Sequence, residues 1–215
     1  HEKIQTTQNR SLEFCLLISL PSAVGLYYLS KPIIYILFER GAFLSNDTLY
    51  TANVLSMFAL GLPAYILIKV LVTCFFARED TKTPLYVSIF SVVVNIFLSL
   101  ILIQSMREMG IALATAISAW SNACLLYIIL KIRNNITLDT RLTNHGIRIV
   151  VCSIVMGFVC YFLNLTLFPH MTMHSAISNI GALILVIIIC KIIYIAMIFM
   201  LKVLTIDELR RYIRN

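Results

Sequence analysis

In KVLVTCFFAREDTKTP, residues 69–84, the ammonium group of Lys69 sits inside a long apolar run, and Arg78, Glu79, Asp80 and Lys82 crowd the short gap that follows. A charge at depth in lipid is costly, so it points to an ion or substrate pathway unless the side chain snorkels to the interface. Both readings stand for Lys69, about two turns from the end of its run. Lys31, beside Pro32 at the end of an earlier run, reads as an interfacial anchor. Lys191 lies deep among apolar neighbours and reads as a snorkelling side chain or an interhelical contact.

Other chemistry is sparse. No Ser/His/Asp set, no paired carboxylates and no phosphate loop is visible, so nothing argues for an enzyme. His170 and His174 have helical i, i+4 spacing with two methionines nearby, but lack a third strong ligand for a soft metal, and no metal or other cofactor is read. All six cysteines lie in apolar runs without CxxC spacing and read as packing residues. Glu13, at the edge of the first run, is the acid that comes closest to the membrane interior, so no relay of buried carboxylates is apparent.

These residues need apolar elements to position them. The 215 residues are 60% hydrophobic and 13% charged, with a mean hydropathy of +0.92, far from the balance of a soluble domain. Six runs, at 12–29, 49–76, 85–103, 111–130, 147–168 and 176–201, are long enough to cross a hydrocarbon core as helix. They are continuous rather than alternating, which excludes barrel strands and predicts an all-α, polytopic membrane protein. Twelve lysines and arginines fall on one side of the implied topology and two, Arg40 and Arg107, on the other. The positive-inside rule then places both ends of the chain in the cytoplasm. That asymmetry accounts for the net charge of +7 without a nucleic-acid partner.

The turn FERGAFLSNDT offers Gly41 for a sharp bend and Ser45, Asn46 or Asp47 as caps. Thr81 or Thr83 is expected to cap the third helix, with Pro84 in its first turn. Gly61 and Pro63 are expected to break or kink the second span. The polar stretch 131–148 is the longest loop, and its residues 134–148 read as a linker between 1–133 and a final helix pair at 149–201. In the tail, 202–215, Thr205 and Glu208 have capping-box spacing and predict an amphipathic helix on the membrane surface. The first residue is His1, so either a start has been removed or the chain is part of a longer protein.

Three stretches resemble the MurJ (MviN) family, the lipid II flippases of bacterial peptidoglycan synthesis within the multidrug/oligosaccharidyl-lipid/polysaccharide exporter superfamily. They are LPSAVGLYYLSKPIIYILFERGAF (20–43), the run from Gly61 through KVLVTCFFAREDTKTP, and GIALATAIS (110–118). The resemblance covers roughly residues 10–133; the last two spans agree in position and hydropathy. It implies a fragment of a fourteen-helix, two-lobe transporter of the bacterial inner membrane, with helices nine to fourteen present and an N-terminal part of the same transporter as partner. Residues 1–133 would be the last four helices of the second lobe.

The implied mechanism is alternating access about a cationic cavity, where guanidinium and ammonium groups offset the cost of moving a diphosphate through low dielectric. Lys69 would match a cavity lysine of helix ten. Arg78, Asp80, Lys82, Thr83 and Pro84 would match its cytoplasmic turn, as a gate or latch. The last two spans would border a groove for the lipid tail. A sodium site of some relatives would fall on Asn95 and Thr115, with Ser99 standing where a carboxylate is wanted. Two other readings remain: an exporter of another polyprenyl-linked saccharide or a small cation, and a non-transporting membrane scaffold.

Overall fold

The computed structural model describes residues 2–137, 139–167 and 176–203, and these form six helices. They are α1 (Glu2–Phe38), α2 (Ser45–Phe76), α3 (Lys82–Met106), α4 (Glu108–Ile132), α5 (Thr140–Leu167) and α6 (Ala176–Met200). Each is long and apolar enough to cross a membrane. The positions expected for the histidine pair, 170 and 174, and for the amphipathic tail, 204–215, lie outside the described residues.

α1 and α5 extend well past their apolar runs. α1 gains polar turns at its start and continues through Lys31 and Pro32 to Phe38. α5 begins at Thr140, inside the stretch expected as a linker. Hydropathy marks the part of a helix that meets lipid, whereas the hydrogen-bonded ladder continues wherever no breaker intervenes.

The expected break at Pro63 does not occur, since α2 continues through it, and α1 likewise continues through Pro21 and Pro32. A proline deprives the carbonyl four residues back of its donor. In α1 both such carbonyls are claimed from outside the helix. Tyr194 of α6 donates its hydroxyl to the Leu17 carbonyl at 2.7 Å, and Asn164 of α5 donates its amide to the Tyr28 carbonyl at 2.9 Å. The prolines thus create the acceptors by which α5 and α6 dock on α1.

Two apolar cores share α1. Leu29 packs with Cys152, Met156 and Cys160 of α5 and with Val186, Cys190 and Tyr194 of α6. At the other end of α1, Leu12 packs with Leu71, Cys74 and Phe75 of α2, Leu126 and Leu130 of α4, and Leu142 of α5. α2 and α4 meet through small side chains, with Ala64 of α2 packed against Ala119 and Ala123 of α4. Small residues let two backbones approach closely, which is how helices associate where water gives no drive. α3 leans chiefly on α4, and Ser91 donates to the Ser118 carbonyl at 2.8 Å in that buried seam.

The turns are built locally. Gly41 adopts φ +63 between α1 and α2. The N-cap of α2 is Leu44 rather than one of the three polar residues expected, and Asp47, three residues on, accepts the Leu44 N–H at 2.9 Å. α2, α4 and α6 all close with the same pair of bonds around one left-handed residue, Glu79, Asn134 and Lys202 respectively. This is the Schellman arrangement, which satisfies two carbonyls at each helix end.

Candidate functional site

The ends of α1, α2, α4, α5 and α6 that carry most of the arginines converge, and this basic end holds the turn singled out in the sequence. Glu79, at φ 60, reverses the chain after α2. Asp80 then accepts the Thr83 N–H at 3.0 Å and the Thr83 hydroxyl at 2.7 Å. The cap of α3 is therefore Asp80; Thr81 occupies the N-cap position without a side-chain bond, and Thr83 donates rather than caps. Pro84 is buried in the first turn and Lys82 is exposed.

Two further bonds tie this turn to the end of α4. Arg133 donates to Asp80 at 2.5 Å and to the Thr83 hydroxyl at 3.1 Å. Arg78 donates to the Cys74 carbonyl of its own helix and to the Asn135 carbonyl beyond α4, both at 2.8 Å. The hydrogen bonds from the Thr83 side chain and backbone, with Arg133 adding a third, hold the Asp80 carboxyl down at about 2, below its ordinary 3.8. The turn is thus a closed, charge-assisted knot that joins α2, α3 and α4. Arg133 and Asn135 carried no sequence signal, because their partners lie fifty or more residues away.

Lys69 is exposed on α2, next to Val70 at the border of an open groove of about 440 Å³ between α1 and α2. Thr7, Gln8 and Ser11 of α1 face Thr73 and Cys74 of α2 across it. The Gln8 Oε1 atom is buried there without a hydrogen-bond partner. Lys31 and Lys191 are likewise exposed on their helices.

A second groove, of about 520 Å³, is almost wholly apolar. Leu12 and Leu67 form its floor, Trp120 and Tyr127 of α4 one wall, and Leu142 and Val150 of α5 the other. Trp120 donates its indole N–H to the Leu60 carbonyl at 3.0 Å, within the turn of α2 that precedes Pro63. Such a trough fits a flexible hydrocarbon chain and has nothing to orient a polar one.

Of the three residues placed at a possible ion site, Asn95 and Ser99 meet on α3, the Ser99 hydroxyl donating to Asn95 Oδ1 at 3.0 Å. Thr115 of α4 spends its hydroxyl hydrogen on the Ile111 carbonyl at 2.9 Å. The polar link observed between these two helices is the Ser91 bond, on the small-residue face.

Comparison with known proteins gives a consistent result. A family model described as "Lipid II flippase MurJ" matches residues 1–181. A probable lipid II flippase MurJ of Rhizobium tropici is 39% identical over 209 residues, which is 97% of this chain and 39% of that protein. One from Rickettsia prowazekii (strain Madrid E) is 35% identical over 204 residues, 95% of this chain and 40% of that protein. A solved structure, "Lipid II flippase MurJ, inward closed conformation", superimposes with a TM-score of 0.70 at 31% identity, covering 90% of this chain and 39% of its own. The chain spans about two fifths of the length of these relatives.

Proposed function

The chain belongs to the lipid II flippase MurJ family, and from that premise we propose that it is the C-terminal part of a transporter that moves a lipid-linked peptidoglycan precursor across the bacterial inner membrane by alternating access. The observation that carries this reading is the family match, which runs from residue 1 through 181 and includes all of α1 to α5.

In this reading the basic end faces the cytoplasm, in keeping with the positive-inside rule, and both ends of the chain lie there. Residues 1–133 are the last four helices of a second lobe, the stretch before Thr140 connects them to the pair α5–α6, and 202–215 form the tail. The N-terminal part of the transporter supplies the remaining helices. The protein acts as a carrier, not as an enzyme. The apolar groove between α4 and α5 takes the substrate's hydrocarbon tail, while Lys69 approaches the anionic head group from the α1–α2 side. The knot of Arg78, Asp80, Lys82, Thr83 and Pro84, closed by Arg133, holds α2, α3 and α4 in fixed relation as the lobe moves. Asn95, Ser99 and Thr115 are the groups from which a coupling ion would be drawn.

The test is complementation. The full-length gene, expressed in a bacterium depleted of its own flippase, is expected to restore growth and the appearance of lipid II at the outer face. Accumulation of lipid II at the inner face despite normal expression would overturn the proposal.

A further inference from the structure

Gln8 of α1 is buried, with 8% of its surface exposed, and its Oε1 atom meets no hydrogen-bond partner among the described residues. It lines the open groove of about 440 Å³ between the basic ends of α1 and α2, with Ser11 on its own helix and Thr73, Cys74 and Ala77 opposite. An acceptor left bare at the edge of the hydrocarbon region has lost its water and gained nothing in return, so such atoms are paired in a complete membrane protein. The proposed transport route assigns no part to this oxygen.

The walls of the groove show what its occupant must bring. The Ser11 hydroxyl donates to the Thr7 carbonyl at 3.0 Å, the Thr73 hydroxyl to the Val70 carbonyl at 2.7 Å, and the Cys74 thiol to that same carbonyl at 3.3 Å. Each has spent its hydrogen within its own helix, so these side chains turn only lone pairs to the groove. The occupant therefore supplies an N–H or O–H, which an acyl chain lacks. The same side of α1 continues into the membrane as a stripe at helical spacing, where Thr7, Phe14, Ile18 and Ser22 are exposed and Ser11 is half-buried. The other sides of α1 pack against α2, α5 and α6.

We propose that this groove is the seat of the helix that immediately precedes residue 1 in the full-length transporter, and that a side-chain N–H or O–H of that helix closes on Gln8 Oε1. The proposal rests on the reading of the chain as the C-terminal part of a longer protein, and the chain spans about two fifths of the length of its relatives. In that reading residue 1 lies at the basic, cytoplasmic end. A preceding membrane helix then descends to the same end before the chain turns into α1, and helices joined in this way lie antiparallel as neighbours. The groove at the foot of α1 is where such a helix arrives.

Two features favour a helix over lipid. Gln8 stands one turn before Leu12, where the apolar run begins, so its donor must hold one position at the junction of head groups and hydrocarbon, which a side chain fixed on a helix does and an exchanging lipid does not. Beyond Gln8 the stripe carries Phe14 and Ile18, each 51% exposed, and from Thr7 to Ser22 it offers about four turns along which a second helix can pack. Lys69 is not among the residues lining the groove, so the seat makes no use of it.

Photo-cross-linking of the full-length protein in its membrane tests this. The photoreactive p-benzoylphenylalanine replaces Ser11 in one variant and Thr73 in another, one on each wall of the groove, and the cross-linked peptides are identified by mass spectrometry. Both variants are expected to mark the helix immediately before residue 1. Adducts with lipid alone, with another stretch of the chain or with a different protein would each overturn the proposal. Gln8→Leu gives the sign of the bond: it should lower the thermal transition of the full-length protein by about 2 °C, because a buried donor is stranded. A rise or no change is the result for an oxygen that was never paired, and it too would overturn the proposal. Complementation reports on transport and cross-linking on packing, so the proposed function and this seat can fail separately.

Discussion

The interface between α2 and α4 and the one between α1 and the α5–α6 pair bury helices in the same apolar surroundings by opposite means. The first is a seam of small side chains, Ala64 of α2 against Ala119 and Ala123 of α4. The second uses large side chains, Leu29, Met156, Val186 and Tyr194, and takes its register from two hydrogen bonds onto carbonyls that prolines have left open. Since lipid is as apolar as leucine, contact area alone does not specify a partner in a membrane. Close approach specifies one interface, and directional bonding to disrupted backbone specifies the other.

The contrast predicts different sensitivities to substitution. The largest effect is expected where there is no space, at the contact of α4 with α3: a Cβ on Gly110, at the start of α4, would run into the backbone of Leu102 on α3. Gly110→Ala should lower stability by about 3 kcal/mol, read as a drop in the thermal transition in detergent. Ala64→Leu, at a fully buried position of the α2 seam, should cost about 2 kcal/mol for the same reason. If Ala64→Leu melts like the native protein, the α2–α4 seam is not tightly packed; if Gly110→Ala does, the contact of α4 with α3 is not.

At the other interface, Tyr194→Phe should cost about 1 kcal/mol by removing the donor to Leu17 while leaving the ring in place. Adding Pro21→Ala supplies the missing backbone N–H, so the double variant should recover most of that loss. A double-mutant cycle with no coupling would show that the proline-freed carbonyl is not what Tyr194 recognises.

A smaller effect is expected in acid. The carboxyl of Asp80 is held at about 2 against an ordinary 3.8, so its ionised form is favoured by folding. Its contribution is complete above the ordinary value and is lost as pH falls through about 2. Asp80→Asn should remove that part of the acid response, measured as the pH dependence of the thermal midpoint. The smallest effect belongs to the outer face of α3, where Val93, Ile96 and Phe97 are exposed. Phe97→Leu should stay within about 0.5 kcal/mol of the native protein.

How much of this could be read in the sequence differs by level. The six spans, the all-α class and the asymmetric distribution of arginines follow from hydropathy and charge, because helix length and the cost of charge in lipid are local properties. α3 and α4 show the limit of that reading. Only 11% of the most apolar window of α3 is buried against 44% of that of α4, and it is the run of alanines in ATAISAWSNAC, not apolarity, that marks the enclosed helix.

The turn at residues 78–84 was legible as compact and charged, but not as a knot, since Arg133 and Asn135 are brought to it only by the return of α4. Pro63 was expected to break or kink α2, and the helix continues through it between α1 and α4. The prolines of α1 reveal their role only with Tyr194 and Asn164 in view. The ion-site residues were placed by family likeness, and the geometry adds that Asn95 and Ser99 bond to each other.

Trp120 is the single tryptophan of the chain, and it stands in the wall of the apolar groove with its N–H committed to α2. Its indole is therefore a built-in optical reporter. With its hydrogen bond fixed, the emission maximum of the ring responds chiefly to what fills the trough beside it. Water in an open trough shifts the fluorescence to the red, and a saturated chain lying against the ring shifts it to the blue and shields it from aqueous quenchers. Within these 215 residues, occupancy can thus be followed by emission from this one side chain, with no label attached.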